Sequence, residues 1–221
     1  MCRLPKIAVF EFFVSKLIGL DLAKIEEMPP WEISGFDQKL SDYTMTRYMK
    51  LLYFLCLVDA KGGEGETNSG GKLLSIFDNF VAYQRGPVEE DIYLNRHNKG
   101  TFILFTYEQG CLKLKQGSDS LSLMVPEVDQ KAVANALEVL GQLQIGDTDS
   151  EKSILEERED TVLVELSHHL SPEVWSDAFY YSEKDGKISK ILEDAEILQK
   201  EITAFSEKTH SSVKQNNAIK I

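Results

Sequence analysis

An uninterrupted apolar run limits the possible folds more than any other feature of this sequence. Residues 51–58, LLYFLCLV, are all aliphatic, aromatic or cysteine. At helical spacing such a run is apolar on every side, and a helix of this kind lies in the interior of a domain. The run therefore predicts a buried central helix over residues 42–59. The more polar Tyr43, Thr44 and Arg47 precede it, so we expect the helix to enter the core from solvent.

Composition indicates an ordinary globular chain. Of the 221 residues, 43% are hydrophobic and 27% are charged, which is the usual balance for a globular domain. The three cysteines (Cys2, Cys56 and Cys111) form no paired motif, so we expect neither a disulfide framework nor a zinc site. Free thiols suit a reducing cytoplasm. We expect a cytoplasmic protein without a membrane span, because the apolar run is too short to cross a bilayer.

The N-terminal segment resembles a signal peptide only superficially. Glu11 and Lys16 interrupt its apolar region, and no small-residue cleavage site follows. The segment instead predicts an amphipathic helix, with one apolar face formed by Ile7, Phe10, Val14 and Leu17.

The chain is acidic, with 36 acidic and 24 basic residues and a net charge of −12. Such a surface repels phosphate backbones and anionic lipids, so we expect no direct contact with nucleic acid or membrane. It favours a basic protein partner, although solubility alone is the commoner reason for an acidic surface.

A glycine-rich segment, residues 61–72, has part of the pattern of a phosphate-binding loop. Gly65 and Gly70 have the required gap, but Gly71 stands where that motif needs lysine, and Leu73 follows Lys72 in place of serine or threonine. The segment also follows a helix and not a strand. A mobile surface loop is the better interpretation.

The next segment, residues 72–96, predicts two helices joined by an elbow. The first carries an apolar stripe of Leu73, Leu74, Phe77, Phe80 and Val81. Gly86 would end it and Pro87 would begin the second helix. Glu89, Glu90 and Asp91 then occupy a first turn. A metal site is an alternative, but successive helical positions point in different directions, so we expect a solvated turn.

Further elements follow in order. Residues 101–115 predict a β-hairpin with a turn at Glu-Gln-Gly. A helix begins at Pro126, an exposed acidic link covers 146–160, and two helices cover 161–182. A last helix covers 188–205. We expect one mostly α domain over residues 1–205, compact around the central helix, with a small β-hairpin insertion and a flexible tail over 206–221.

Candidate chemistry is sparse. His168 and His169 are adjacent, so on a helix they point about 100° apart and do not form a metal-binding pair. A hydrogen-bonded histidine near a helix end is the better interpretation, and a hydrolase or transferase using His168 with a carboxylate is a weaker alternative. We expect no enzyme activity, no metal and no cofactor.

Three motifs together resemble the Panacea, or SocA-like, antitoxin family. KLLYF contains Lys50, Leu51, Leu52 and Tyr53; AYQRGPVEEDIY contains Tyr83, Gly86, Pro87, Val88 and Tyr93; ELSHHLSPEVW contains Leu166, Ser167, His168 and Trp175. The matching part covers about 42–180. Tyr83 stands where the family usually has tryptophan, and the spacing from His168 to Trp175 is longer than usual.

The resemblance implies a mostly helical antitoxin of bacteria or phages that neutralises a cognate toxin by direct binding. One branch of the family acts as an adaptor that delivers its toxin to a protease, which is the alternative function. The family has no established catalytic residues. A basic toxin would suit the acidic surface. We expect partner contacts at Tyr107, Lys113 and Lys115 in the hairpin, and at Ile191 and Leu198 in the last helix.

Overall fold

The computed structural model describes residues 5–62, 71–115, 125–145 and 152–170. The described part is mostly helical, as the sequence predicts. Its helices are α1 Pro5–Leu17, α2 Pro30–Ser41, α3 Met45–Gly62, α4 Lys72–Ile76, α5 Glu90–Asn95, α6 Glu127–Gln142 and α7 Asp160–Leu170, with a 3₁₀ helix at Leu22–Glu27. Its strands form three antiparallel pairs: β1 Phe80–Tyr83 with β2 Gly86–Glu89, β3 Phe105–Glu108 with β4 Cys111–Leu114, and β5 Gln144–Ile145 with β6 Lys152–Ser153.

Helix α3 contains the apolar run and lies in the core. Every residue from 48 to 57 is at most 1% exposed, and α3 packs against α1, α4, α6, α7 and β2. Thr44 caps its start by accepting a hydrogen bond from the Arg47 backbone N–H at 3.1 Å.

The predicted entry of this helix from solvent is wrong at Arg47. That residue is only 2% exposed. Its guanidinium lies 4.1 Å from the centre of the Tyr43 ring and donates a hydrogen bond to the Leu155 carbonyl at 3.0 Å. The apolar stem of Arg47 and its contact with the Tyr43 ring cover this end of the core. The charge of the guanidinium therefore does not require the helix end to lie in solvent.

Helix α1 is buried on more sides than an amphipathic helix. Ile7, Phe10 and Val14 are buried as predicted, and Leu17 is half-buried. The remaining positions, however, include further buried side chains: Ala8, Val9, Phe12 and Phe13. Helix α1 is therefore a second interior helix, and the prediction that only one of its faces is apolar is wrong.

The predicted helix–helix elbow at Gly86 and Pro87 is wrong. Helix α4 ends at Ile76, and Phe80 begins a strand that pairs with Gly86–Glu89. The backbone leaves the helix at Phe77, whose ψ of 74° is not helical. Asn79 then bonds to residues beyond the hairpin: its carbonyl accepts from Glu90 N at 3.0 Å, and its side-chain amide donates to Asp91 at 3.1 Å. The Arg-Gly-Pro segment therefore belongs to the turn and second strand of a β-hairpin.

The β3–β4 hairpin lies in the segment where the sequence predicts one, although its first strand begins only at Phe105. Gln109 and Gly110 form the turn with φ values of 53° and 90°, the left-handed pair of a two-residue hairpin turn. Helix α2, which the sequence did not predict, packs against β4. The Asp37 carboxylate on α2 accepts a hydrogen bond from the Leu114 backbone N–H at 2.8 Å.

The helix predicted from Pro126 is confirmed as α6, with Val133 and Leu140 buried and Leu137 half-buried. The link before α7 is not simply exposed. Its residues 152–153 pair with β5, Ile154 is fully buried, and the Ile154 N–H donates to the Leu143 carbonyl at 2.9 Å. Leu163 of α7 also faces the core.

Several predictions fall on residues outside the described part: the glycine-rich residues 63–70, the helix from Ser171, the last helix over 188–205 and the tail over 206–221. Among the described helices, none has the length and apolar character needed to cross a bilayer.

The β3–β4 turn yields a stability prediction. Replacing Gly110 with alanine should lower the free energy of unfolding by about 1 kcal/mol, because a Cβ atom is strained at positive φ. Replacing Gln109 with asparagine should raise it by a few tenths of a kcal/mol, because Asn-Gly is the preferred pair for this turn. Urea denaturation of both variants measures the effects. A more stable Gly110→Ala variant would contradict the observed turn.

Candidate functional site

Two lysine side chains reach the short strand β2 from inside the fold. Lys50 is 0% exposed and its Nζ donates to the Pro87 carbonyl at 2.7 Å. Lys6, on α1, reaches the carboxylate of Glu89 at 2.8 Å. Pro87 and Glu89 are two residues apart on β2, so the two helices hold one strand through adjacent polar contacts.

Of the two lysines, Lys50 has the more unusual pKa. Burial lowers its pKa to about 7, because removing an ammonium from water disfavours the charged form. Within the described part its polar contact is the Pro87 carbonyl. A lysine of this kind is present near neutral pH in both protonation states, and the neutral amine still donates to the carbonyl.

Lys6 is surrounded by three carboxylates. Its Nζ lies 2.8 Å from Glu89, 2.5 Å from Asp91 and 2.9 Å from Asp78. Burial lowers the pKa of Lys6, but the hydrogen bonds to these three carboxylates more than offset this and raise the pKa above its ordinary value. Lys6 is therefore charged throughout the neutral range.

Glu89 serves two partners at once. Its side chain is 0% exposed. While one carboxylate oxygen receives Lys6, the other accepts the Ile92 backbone N–H at 3.0 Å and caps α5. Burial raises the pKa of Glu89, and the Lys6 contacts and the Ile92 hydrogen bond lower it in part. The prediction of a solvated acidic turn is thus wrong for this residue.

The acidic cluster already holds one cation. Ligand oxygens of Asp78, Glu89 and Asp91 lie within 4.8 Å of one another, a spacing that would permit a cation. The Lys6 ammonium stands within hydrogen-bonding distance of all three. A divalent ion would have to displace it. Sequence reasoning missed Lys6 and Asp78, because a lysine near the start of one helix and an aspartate after another do not indicate by themselves that the two meet.

The first two Panacea-like motifs meet in the core. Leu51 and Leu52 are fully buried beside Lys50 and its Pro87 contact. The buried Tyr53 ring packs edge-on against Phe80 of β1 at 5.2 Å. On the outer side, Tyr83 packs edge-on against Tyr93 at 5.5 Å and donates to Glu90. Gly86 has φ 83° at the turn, and Val88 is buried.

The described part of the third motif lies close to the same strand. Helix α7, which contains Leu166 and Ser167, packs against both β2 and α3. Ser167 is fully buried and donates to the Val164 carbonyl at 2.7 Å, while Leu166 is half-buried against the core. His168 lies within α7, and its side chain and Trp175 are outside what the structure describes.

The predicted partner contacts in the hairpin do not share one surface. Tyr107 pairs with the buried Leu112, on the opposite face of the hairpin from Lys113. The Tyr107 ring contacts His97 edge-on at 4.9 Å. Lys113 is exposed near Glu108, and Lys115 donates to the Phe102 carbonyl at 2.5 Å. Ile191 and Leu198 lie outside the described residues.

No family model, curated protein or solved structure matches this chain. The resemblance to the Panacea family therefore stays a hypothesis that rests on the motif residues. Lys6, Lys50 and Glu89 are buried around β2. Their contacts are therefore best explained as contacts that stabilise the fold.

Replacing Lys6 with methionine should lower the free energy of unfolding at pH 7 by about 3 kcal/mol, because Glu89 would be left buried without its cation. The matched control is Lys24→Met, which removes an exposed pair with Asp21 and should leave the urea midpoint nearly unchanged. Adding Glu89→Gln to Lys6→Met should recover part of the loss. Equal urea midpoints for Lys6→Met and the control would contradict the role of Lys6.

Replacing Lys50 with methionine should change how stability depends on pH. The folded-state pKa is about 7 and the unfolded value about 10.4, so between them the unfolded chain binds more protons. The wild type therefore gains stability relative to Lys50→Met as pH rises from 7 to 10, by about 1.4 kcal/mol per pH unit.

The check is the difference in free energy of unfolding between the two proteins, measured by urea denaturation at several pH values. Lys131→Met, at an exposed pair with Glu127, is the control variant. A flat difference for Lys50→Met would show that Lys50 has an ordinary pKa.

Proposed function

We propose that this chain is a cytoplasmic antitoxin of the Panacea type, which neutralises a toxin by direct binding and catalyses no reaction. The observation that carries the proposal is the hydrogen bond from Lys50 to the Pro87 carbonyl. The resemblance singles out these two residues in separate motifs, 37 positions apart. Their contact in the core supports the idea that the motifs specify one scaffold.

The position of the ionisable groups supports binding over catalysis. Lys50 and Glu89 have pKa values shifted by burial, which is common in active sites. Both side chains are, however, 0% exposed. A substrate could reach them only if the fold opened, so the shifts are better explained by their structural contacts.

The charge of the chain supports a basic partner. A net charge of −12 attracts a cationic protein over several ångströms and increases the rate of encounter. Toxins that act on nucleic acids or nucleotides are usually basic, and such a toxin would be drawn to this surface. The same charge disfavours a role in which the chain binds DNA directly.

The test is co-expression of the full chain with the product of its neighbouring gene. We expect the neighbour to be toxic alone, growth to be restored by co-expression, and the two proteins to co-purify. A toxic neighbour that is neither rescued nor bound would contradict the proposal, as would a harmless one.

Two controls separate the alternatives. His168→Ala should rescue growth as well as the wild type, because the proposed function needs no catalytic histidine. The amount of toxin should stay constant in strains with and without their ATP-dependent proteases. If the amount of toxin falls only in strains that contain a protease, the adaptor function is supported and neutralisation by binding alone is contradicted.

A further inference from the structure

Trp31 is an exposed apolar side chain on a well-anchored helix. It is 74% exposed, the largest value among the exposed large hydrophobic residues of the described part. Single exposed apolar residues are common and need no explanation. Tryptophan is different, because it is the residue most enriched among those that dominate protein–protein binding energy.

Helix α2, which carries Trp31, is anchored to the rest of the fold. Pro30 occupies the first turn, where its restricted φ fits the helix. Further along, Leu40 is fully buried and the Asp37 carboxylate accepts from Leu114 N at 2.8 Å. Lys39 donates to the Ile18 carbonyl at 3.1 Å. The backbone that carries Trp31 therefore loses little conformational freedom when a partner binds.

The surroundings of Trp31 are acidic. Residues 21–37 contain five acidic residues and one basic residue, Lys24, whose ammonium pairs with Asp21 at 3.1 Å. Glu27 and Glu32, four residues before and one residue after Trp31 in the sequence, are exposed. Protein interfaces usually combine an apolar anchor with a polar rim, which these neighbouring carboxylates can supply.

We propose that Trp31, with the carboxylates of Glu27 and Glu32, is the docking surface for a basic protein, whose apolar pocket receives the indole and whose lysine or arginine residues face the two carboxylates. This inference rests on the proposed antitoxin function and identifies where the toxin binds. A second copy of the chain is a poor occupant, because each copy carries a net charge of −12 and the same acidic rim would face itself.

The experiment uses the full chain and the product of the neighbouring gene, with affinity measured by titration calorimetry. Trp31→Ala should weaken binding by at least about thirtyfold, the loss expected for a hot-spot residue. Its thermal midpoint should stay at the wild-type value because the side chain is exposed. Val128→Ala, at a residue 58% exposed on α6, is the matched control and should bind as the wild type does.

The contribution of Glu27 and Glu32 is measured separately, through the association rate constant. Glu27→Gln with Glu32→Gln should reduce the association rate constant severalfold at low salt, and the reduction should shrink as salt is added. Fluorine NMR of the wild type labelled with 5-fluorotryptophan gives a direct signal: the chain has two tryptophans, and the resonance that Trp31→Ala removes should shift on binding.

The outcomes separate the two proposals. If the wild type binds the neighbour and Trp31→Ala binds equally well, the docking surface is wrong and the antitoxin function stands. If the wild type neither binds nor rescues, the antitoxin function itself fails, and the docking surface fails with it. Dimers of the chain alone that disappear in Trp31→Ala would identify a second copy as the occupant and overturn the inference.

Discussion

Burial of two lysines against one strand is the constraint on which this fold depends. Lys50 places an amine in the core, where its 2.7 Å hydrogen bond to the Pro87 carbonyl compensates part of the cost of removing it from water. Lys6 pairs with the buried Glu89, which in turn caps α5. Strand β2 therefore connects α1, α3 and α5, and removing either lysine would leave a buried polar group without its partner.

The fold separates its interior from the surface that we propose for binding. The described residues of the three motifs lie mostly in or beside strand β2, while Trp31 lies on α2 and belongs to no motif. In the antitoxin that we propose, different residues therefore form the scaffold and the binding surface.

The sequence predicted what depends on local periodicity. Helices α3 and α6 follow from apolar spacing, because each buries a continuous face. The β1–β2 hairpin was missed because Leu73, Leu74 and Phe77 fit a helix that would extend through Val81. The helix ends instead at Ile76, and Asn79 before the strand bonds to Glu90 and Asp91, 11 and 12 positions away, which periodicity does not reveal.

The lysine–carboxylate cluster could not be predicted for the same reason. Lys6 and Glu89 are 83 residues apart, and their contact depends on the packing of α1 beside β2. Exposure is equally a tertiary property: the sequence gives no reason to expect that Arg47 is buried while Trp31 is exposed. Both side chains are placed by the elements that pack around them, not by their own polarity.

Native-state hydrogen exchange tests most directly whether β2 and α3 form one cooperative unit. The Ile92 amide, bound to the buried Glu89 carboxylate, reports on the β2–α5 junction, and the amides of Leu52 and Leu55 report on α3. We predict that all three exchange only through global unfolding, with opening free energies within about 1 kcal/mol of one another. An opening free energy at Ile92 lower than those in α3 by more than about 1 kcal/mol would show that the β2–α5 junction opens without α3 and would contradict this account.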